Sequence, residues 1–198
     1  MPAKPPPTDP LLPPKERDAA RTRRQVLGAA ARTVAAHGAG VSLDVIAREA
    51  GVSKSGLLHH FRSRDQLLLA LTDDLVEQFR ADVEAAADPR DHAAGRLVRA
   101  YVTATLGGVT DAPGVSAHVK LVAALSAVPG VDELLRRDTR RWQEAFAADG
   151  LHPDRALLIT RAADGASLAA LYEGGVDHDQ LRHTRDLLLA LSRGAGPL

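Results

Sequence analysis

The chain contains no cysteine, which excludes disulfides, thiolate metal sites and cysteine nucleophiles. Aromatic side chains are nearly as scarce, at 3% of residues: one Trp, two Tyr and three Phe. Ala, Leu and Arg dominate instead, so helices are favoured over a β-sandwich. No apolar run approaches the roughly 18–20 residues that a membrane span needs. The N-terminus is Pro-rich and lacks the apolar core of a signal peptide, so the expected location is the cytoplasm, with no membrane partner. Catalytic patterns are missing too: there is no GxSxG, HExxH, P-loop or GxGxxG. Asp73-Asp74 and His178-Asp179 are adjacent pairs without convergent geometry and read as solvated faces. No enzyme is expected, and no cofactor.

Net charge is also absent, with 25 Lys/Arg against 25 Asp/Glu. The distribution is uneven, however. Residues 15–64 carry ten Lys/Arg and only four acids, a surplus of +6, while residues 65–198 carry the balancing −6. Such an asymmetry points to a basic module joined to a domain with a different task. At 198 residues, two domains with real cores are affordable in length.

Residues 1–14 hold seven of the twelve prolines and read as an extended arm. A helix is predicted from about Lys15 to His37, with Val26, Ala30 and Val34 at i, i+4, i+8 and a basic ridge of Arg17, Arg21 and Arg24. Gly38 supplies its left-handed end. The next stretch, Val41–Phe61 (VSLDVIAREAGVSKSGLLHHF), organises the chain. Ser42 caps a short helix whose Leu43, Ile46, Ala47 and Ala50 form one apolar face, with Asp44 in its first turn. Gly51 permits a sharp turn, Val52 packs inward, and Ser53 caps a second short helix, Lys54 to Phe61, burying Leu57 and Phe61. This is the pattern of a helix-turn-helix, whose second helix enters the DNA major groove. Ser63 to Gln66 forms a capping box that starts a helix reaching roughly Ala87. Beyond it, Gly/Pro joints separate helices near 91–107, 114–127, 131–148, 153–174 and 178–193. The predicted fold is all-α: a Pro-rich arm (1–14), an N-terminal three-helix helix-turn-helix DNA-binding domain (15–64), and a domain of five to six helices (65–198).

Around Arg24–Leu69 the segments VLGAAARTVAAHG, VSLDVIAREAGVSKSGLLHHF and RSRDQLL closely resemble the tetracycline-repressor (TetR) family of bacterial transcriptional regulators. The family's N-terminal pattern covers about residues 19–79, carried jointly by Ala-Gly-Val-Ser, His60-Phe61 and Ser63-Arg64-Asp65. Ala163-Asp164-Gly165, within RAADGASLAALYEGG, looks like a recurrent stretch of the family's penultimate helix. Two positions depart from the pattern. Leu58 replaces the usual Tyr, removing a hydroxyl that commonly reaches a phosphate. Gly56 replaces a side chain that often touches a base, and lets the backbone approach DNA more closely.

Affinity for DNA comes largely from phosphate neutralisation and specificity from the groove. Ser42 and Ser53, with the amides behind them, suit phosphates, or act as caps alone. Lys54 begins the recognition helix and can take guanine O6/N7 or a phosphate, and the Ser55 hydroxyl suits either. The resemblance assigns Arg64 as a phosphate-clamping cation and His60 as a phosphate-binding histidine, with His59 beside it on the backbone. Adjacent histidines diverge by about 100° around a helix, so His59-His60 is not read as a metal site. Leu58 reads as core filling or as a contact to a thymine methyl, with at least partial burial expected.

The resemblance further implies that the second domain dimerises and binds a small-molecule effector that releases a repressor from its operator. The alternatives are gating by a protein partner, or activation. The last two helices carry Ala162, Ala166, Ala169 and Ala170 on one face and Leu181, Leu187, Leu188 and Leu191 on another, which suits a twofold four-helix interface in a homodimer. A dimer calls for a pseudopalindromic double-stranded operator. Tyr101, His118, Trp142, Phe146 and Tyr172 are the candidate pocket residues, being scarce aromatics and a histidine on otherwise aliphatic helices; the competing reading is core or surface. They point to an apolar or aromatic ligand.

Overall fold

The computed structural model describes residues 14–107, 121–169 and 178–194. Among these there is no strand, and no helix is long and apolar enough to cross a membrane. The helices are α1 (Pro14–His37), α2 (Leu43–Glu49), α3 (Lys54–His60), α4 (Arg64–Ala86), α5 (Arg96–Gly107), α6 (Val131–Ala148), α7 (Pro153–Ala169) and α8 (His178–Leu191). A further helical stretch covers residues 121–125. The chain divides into two units, residues 1–71 and 72–198, and the division falls within α4. The predicted Pro-rich arm lies, but for Pro14, outside the described residues.

In the first unit, α1 buries Val26, Leu27, Ala30 and Val34, the stripe expected from its spacing. Ile46 and Ala47 of α2, Leu57 of α3, and Leu67, Leu68 and Leu71 of α4 join them, with Phe61 at the centre. Each of the buried Val, Leu, Ile and Phe side chains contributes about 1.5–3 kcal/mol by leaving water. That burial holds α2 and α3, which at 7 residues each would not persist alone. Gly38 (φ +77°) ends α1 and Gly51 (φ +65°) makes the turn between α2 and α3. Gly51 thus serves the motif through its backbone and is itself solvent-exposed, while Val52 is only half-buried. The start of α4 is a displaced capping box. Ser63 Oγ accepts from Gln66 N at 3.1 Å, but Gln66 Oε1 reaches back to Arg62 N (2.6 Å), one residue before the cap.

In the second unit, α5, α7 and α8 share a core of Val98, Val102, Leu106, Ile159, Ala163, Leu181 and Leu188. Helix α5 begins at Arg96, later than the spacing suggested. Asp88 Oδ1 accepts from Arg90 N (2.9 Å) and Asp91 Oδ1 from Ala93 N (3.2 Å), so the preceding residues close into side-chain-stabilised turns. The first amides of α5 are capped from a distance: Leu97 N and Val98 N donate to the two carboxylate oxygens of Asp149, at 2.9 and 3.0 Å. Two buried arginines secure the end of α8. Arg99 clasps Asp91 with two nitrogens (2.6 and 2.9 Å) and also reaches the Ser192 carbonyl, while Arg155 Nη1 donates to the Leu191 carbonyl at 2.6 Å. Positive charge at a helix C-terminus answers its unpaired carbonyls and its dipole.

The leucine face foreseen on the last helix is split. Leu181 and Leu188 belong to the core of the unit, whereas Leu187 (52% exposed) and Leu191 (44%) face outward. Leu181 and Leu188, seven residues apart, fall on nearly one line of the helix, whereas Leu187 and Leu191 lie roughly 60–100° round from Leu188.

Candidate nucleic-acid interface and second-unit cavity

The turn between α2 and α3 presents the polar residues of the predicted reading surface. Ser42 Oγ accepts from Val45 N (3.4 Å) and Ser53 Oγ from Gly56 N (3.0 Å), so both serines are caps. A cap uses the oxygen as acceptor and leaves the hydroxyl proton for an outside acceptor. Ser55 Oγ lies 3.0 Å from Ser53 Oγ, so the two hydroxyls share one proton between them and offer the other. Gly56 has a local reason to be glycine: a Cβ there would come within 3.1 Å of the capping Ser53 oxygen.

Lys54 is not a free cation. Its Nζ sits 2.9 Å from Asp44 Oδ2, joining the first turns of α2 and α3, with both side chains more than half exposed. Arg64 points back across the unit: Nε donates to the Val41 carbonyl at 3.0 Å, bracing the start of α2 against the start of α4. Its Nη1 stands 3.5 Å from Asp65, leaving the outer edge of the guanidinium to solvent. His59 is exposed and His60 half-buried, their rings 5.6 Å apart at 75°. Among the described residues no group of three His, Asp or Glu is placed to hold a metal ion.

Leu58 sits at the edge of the core, in line with the partial burial expected of it. It is 37% exposed, whereas its neighbour Leu57 is fully buried. On a two-turn helix docked by Leu57 and Phe61, the adjacent position is turned about 100° away from the core.

Three contacts went unread in the sequence. Gln25 Nε2 donates to the Ala50 carbonyl (2.6 Å), fastening α1 to the end of α2. Arg32 pairs with Glu49 at 2.9 Å, and the Arg23 guanidinium lies 5.3 Å from the Phe61 ring centre. The acids Asp18, Asp44 and Glu49 are each matched to a cation, while Arg24, Arg48 and Arg62 have no ion-pair partner among the described residues. The surplus positive charge is therefore on the surface, available to polyanions.

The second unit contains a cavity of about 330 Å³ lined by residues of α4, α5, α6 and α7. Tyr101, Trp142 and Phe146 line it, and Phe79 joins them. The rings touch edge-to-face or stacked: Tyr101–Trp142 5.2 Å, Tyr101–Phe146 5.3 Å, Trp142–Phe146 5.4 Å and Phe79–Tyr101 5.4 Å between centres. His118 and Tyr172, the other two candidates, lie outside the described residues. Tyr101 Oη donates to Asp164 Oδ1 at 2.6 Å. Burial pushes the Asp164 carboxyl above its ordinary pKa, partly offset by that hydrogen bond and by Arg161. Burial, and then the Asp164 charge, raise the Tyr101 phenol as well, so it stays a donor. Asp138 pairs with Arg80 (2.7 Å), whose guanidinium lies 4.3 Å from the Trp142 ring centre. Phe79 was legible only as part of the apolar stripe of α4. Asp164 had a signal, an acid among alanines and glycine on a half-buried helix.

A basic three-helix unit that presents a capped helix-turn-helix, coupled in sequence to a helical unit with an aromatic cavity, defines the class of helix-turn-helix DNA-binding regulators. Comparison with known proteins gives the family. The profile described as "Bacterial regulatory proteins, tetR family" matches residues 26–71, and that described as "Tetracyclin repressor-like, C-terminal domain" matches residues 95–193, half of the chain. The HTH-type transcriptional regulator BetI of Agrobacterium fabrum is 43% identical over 65 residues, a match spanning 32% of each protein. A transcriptional regulator from Rhodococcus sp. Rha1 shares the fold, with a TM-score of 0.69 at 21% identity, over 85% of this chain and 94% of the other. The multidrug binding protein EbrR, solved with malachite green, superposes with a TM-score of 0.63 at 29% identity, over 85% of this chain and 96% of its own. The chain belongs to the TetR family, and it is a DNA-binding transcriptional regulator rather than an enzyme.

Proposed function

We propose that the protein is a homodimeric repressor, released from a pseudopalindromic operator by a small-molecule effector bound in the second unit. The observation that carries this reading is the cavity of about 330 Å³ framed by four aromatic rings, within the ~300–1,000 Å³ typical of ligand sites. The ligand-bound structure of EbrR, a relative at 29% identity, supports it. An apolar or aromatic effector suits the lining.

In this reading residues 15–64 supply the DNA contacts and the remainder senses the effector. Lys54 and Ser55 meet a base edge or a phosphate, while Ser42, Ser53, His59, His60 and the outer edge of Arg64 meet phosphates. Gly56 admits the backbone, and exposed Leu58 offers a contact to a thymine methyl. Leu158 (50% exposed), Leu168 (43%), Leu187 (52%) and Leu191 (44%) on α7 and α8 support a twofold interface between subunits. Two reading heads then lie roughly 34–36 Å apart. Because α4 begins in one unit and ends in the other, a shift of its tilt on effector binding changes the spacing of those heads.

Selection of bound genomic fragments by the purified protein, followed by titration of ligands against the protein–operator complex, tests the reading. The expected result is a palindromic site and a ligand that lowers operator affinity at least tenfold, within the usual range of allosteric coupling of about 5–150-fold. Operator affinity unmoved by every ligand that fills the cavity would remove the effector from the mechanism.

A further inference from the structure

The cavity discriminates by charge as well as by shape. Its charged lining residues are Asp138, Arg161 and Asp164. Asp138 is already committed: two nitrogens of Arg80 approach its Oδ1 at 2.8 and 2.7 Å, and the pair is largely buried. Asp164 is not. Its short hydrogen bond comes from the neutral Tyr101 hydroxyl, and the nearest Arg161 nitrogen is 3.5 Å away on a side chain that is 61% exposed. Such a distant, solvated partner contributes little. The Asp164 side chain is itself 38% exposed, yet burial still disfavours its charged form, and a cation placed next to it would reverse that preference.

The rings favour the same sign. Their faces carry the negative end of the quadrupole, and the protein itself sets one cation on them, the Arg80 guanidinium over Trp142. An anion entering the cavity would find Asp138 already neutralised by Arg80, and would meet Asp164 with only the exposed Arg161 in its favour. A volume of about 330 Å³ lies at the small end for ligand sites and admits a one- or two-ring molecule.

We propose that the cavity takes a compact aromatic monocation, with the Asp164 carboxylate as its counter-charge and the Tyr101 hydroxyl holding that carboxylate in position. This rests on the reading of the cavity as the effector site. The groups facing Asp164 are Tyr101 from α5 and Arg161 from its own helix, with Asp138 of α6 beyond them held by Arg80. Cation affinity therefore falls as pH drops through the raised Asp164 titration, while a neutral ligand is indifferent.

The test compares benzyltrimethylammonium with its neutral carbon isostere, neopentylbenzene. Trp142 is the single tryptophan of the chain and lines the cavity, so its fluorescence reports occupancy, with calorimetry as a second readout. At neutral pH the cation binds about tenfold more tightly than the isostere. Asp164→Asn, whose amide oxygen still accepts from Tyr101, brings the cation down to the isostere's level and leaves the isostere unchanged. Arg161→Gln removes a competitor and tightens the cation about two- to threefold. The cation reading is overturned if the isostere binds as well as the cation, if neither binds at millimolar concentration, or if both substitutions leave cation affinity unmoved. The parent reading fails separately: the cation binds as expected, yet operator affinity does not respond. An isostere that binds equally and still releases the operator keeps the effector site and rejects its preference for charge.

Discussion

Asp44→Asn isolates a competition built into the reading surface. In the free protein the Asp44 carboxylate holds Lys54 at 2.9 Å, an exposed pair bridging the first turns of α2 and α3. Such pairs contribute about 0.2–1 kcal/mol. The Asp44 charge at the α2 N-terminus adds about 0.3–1 kcal/mol through the helix dipole. The substitution should therefore lower folding stability by roughly 0.5–2 kcal/mol, seen as a small fall in the denaturant midpoint. Its effect on DNA has the opposite sign. Lys54 no longer has to leave a carboxylate to reach the DNA, and one negative charge is removed from a surface that meets phosphates. If Lys54 gains one full contact, the slope of log K against log[salt] steepens by about 0.9, so raising salt from ~0.05 to ~0.2 M weakens the variant about 3.5-fold more than the wild type. Fluorescence anisotropy on the selected operator, across a salt series, measures both slope and affinity. A slope parallel to wild type, with unchanged affinity, would refute the competition. The same measurement in a Lys54→Ala background separates release from simple repulsion, since only repulsion survives there.

Three further outcomes follow from the structure. Arg64→Ala should weaken binding to all sequences, lower the salt slope by about one, and also destabilise the first unit by about 1–3 kcal/mol, because a charged hydrogen bond to the Val41 carbonyl is lost; an unchanged slope would leave Arg64 a brace alone. Gly51→Ala should cost about 1–2 kcal/mol from the left-handed backbone alone, since no atom nearer than 3.8 Å crowds a Cβ there, and a neutral result in chemical denaturation would contradict the φ of +65°. Asp164→Asn should stabilise the protein with a definite pH dependence. Its folded pKa is raised above 3.8, so the wild type loses stability as pH climbs from that unfolded value through the folded one, and the asparagine variant does not. The gap in melting temperature should open across that window and stay constant above it; a gap that is independent of pH would deny Asp164 its raised titration.

The first unit was legible because its grammar is local. Ser42, Ser53, Gly51 and the spacing of Leu57 and Phe61 act within a few residues of themselves, and caps, turns and stripes leave marks at that range. The displaced box at Gln66 shows the limit, since choosing between the amides of Arg62 and Ser63 requires the actual turn geometry.

By itself the sequence determined the all-helical class, a basic helix-turn-helix, the joints at Gly130 and Gly150, and the family, since each rests on periodicity, capping or a contiguous motif. Tertiary structure alone decided what those residues meet. It set Lys54 against Asp44 across ten residues, and Arg64 against Val41 across 23. It also gathered Phe79, Tyr101, Trp142 and Asp164 from three further helices and α4 around one cavity. Helical spacing says which way a side chain faces on its own helix, but the partner on another helix is chosen by how the faces pack, and no local pattern records that choice.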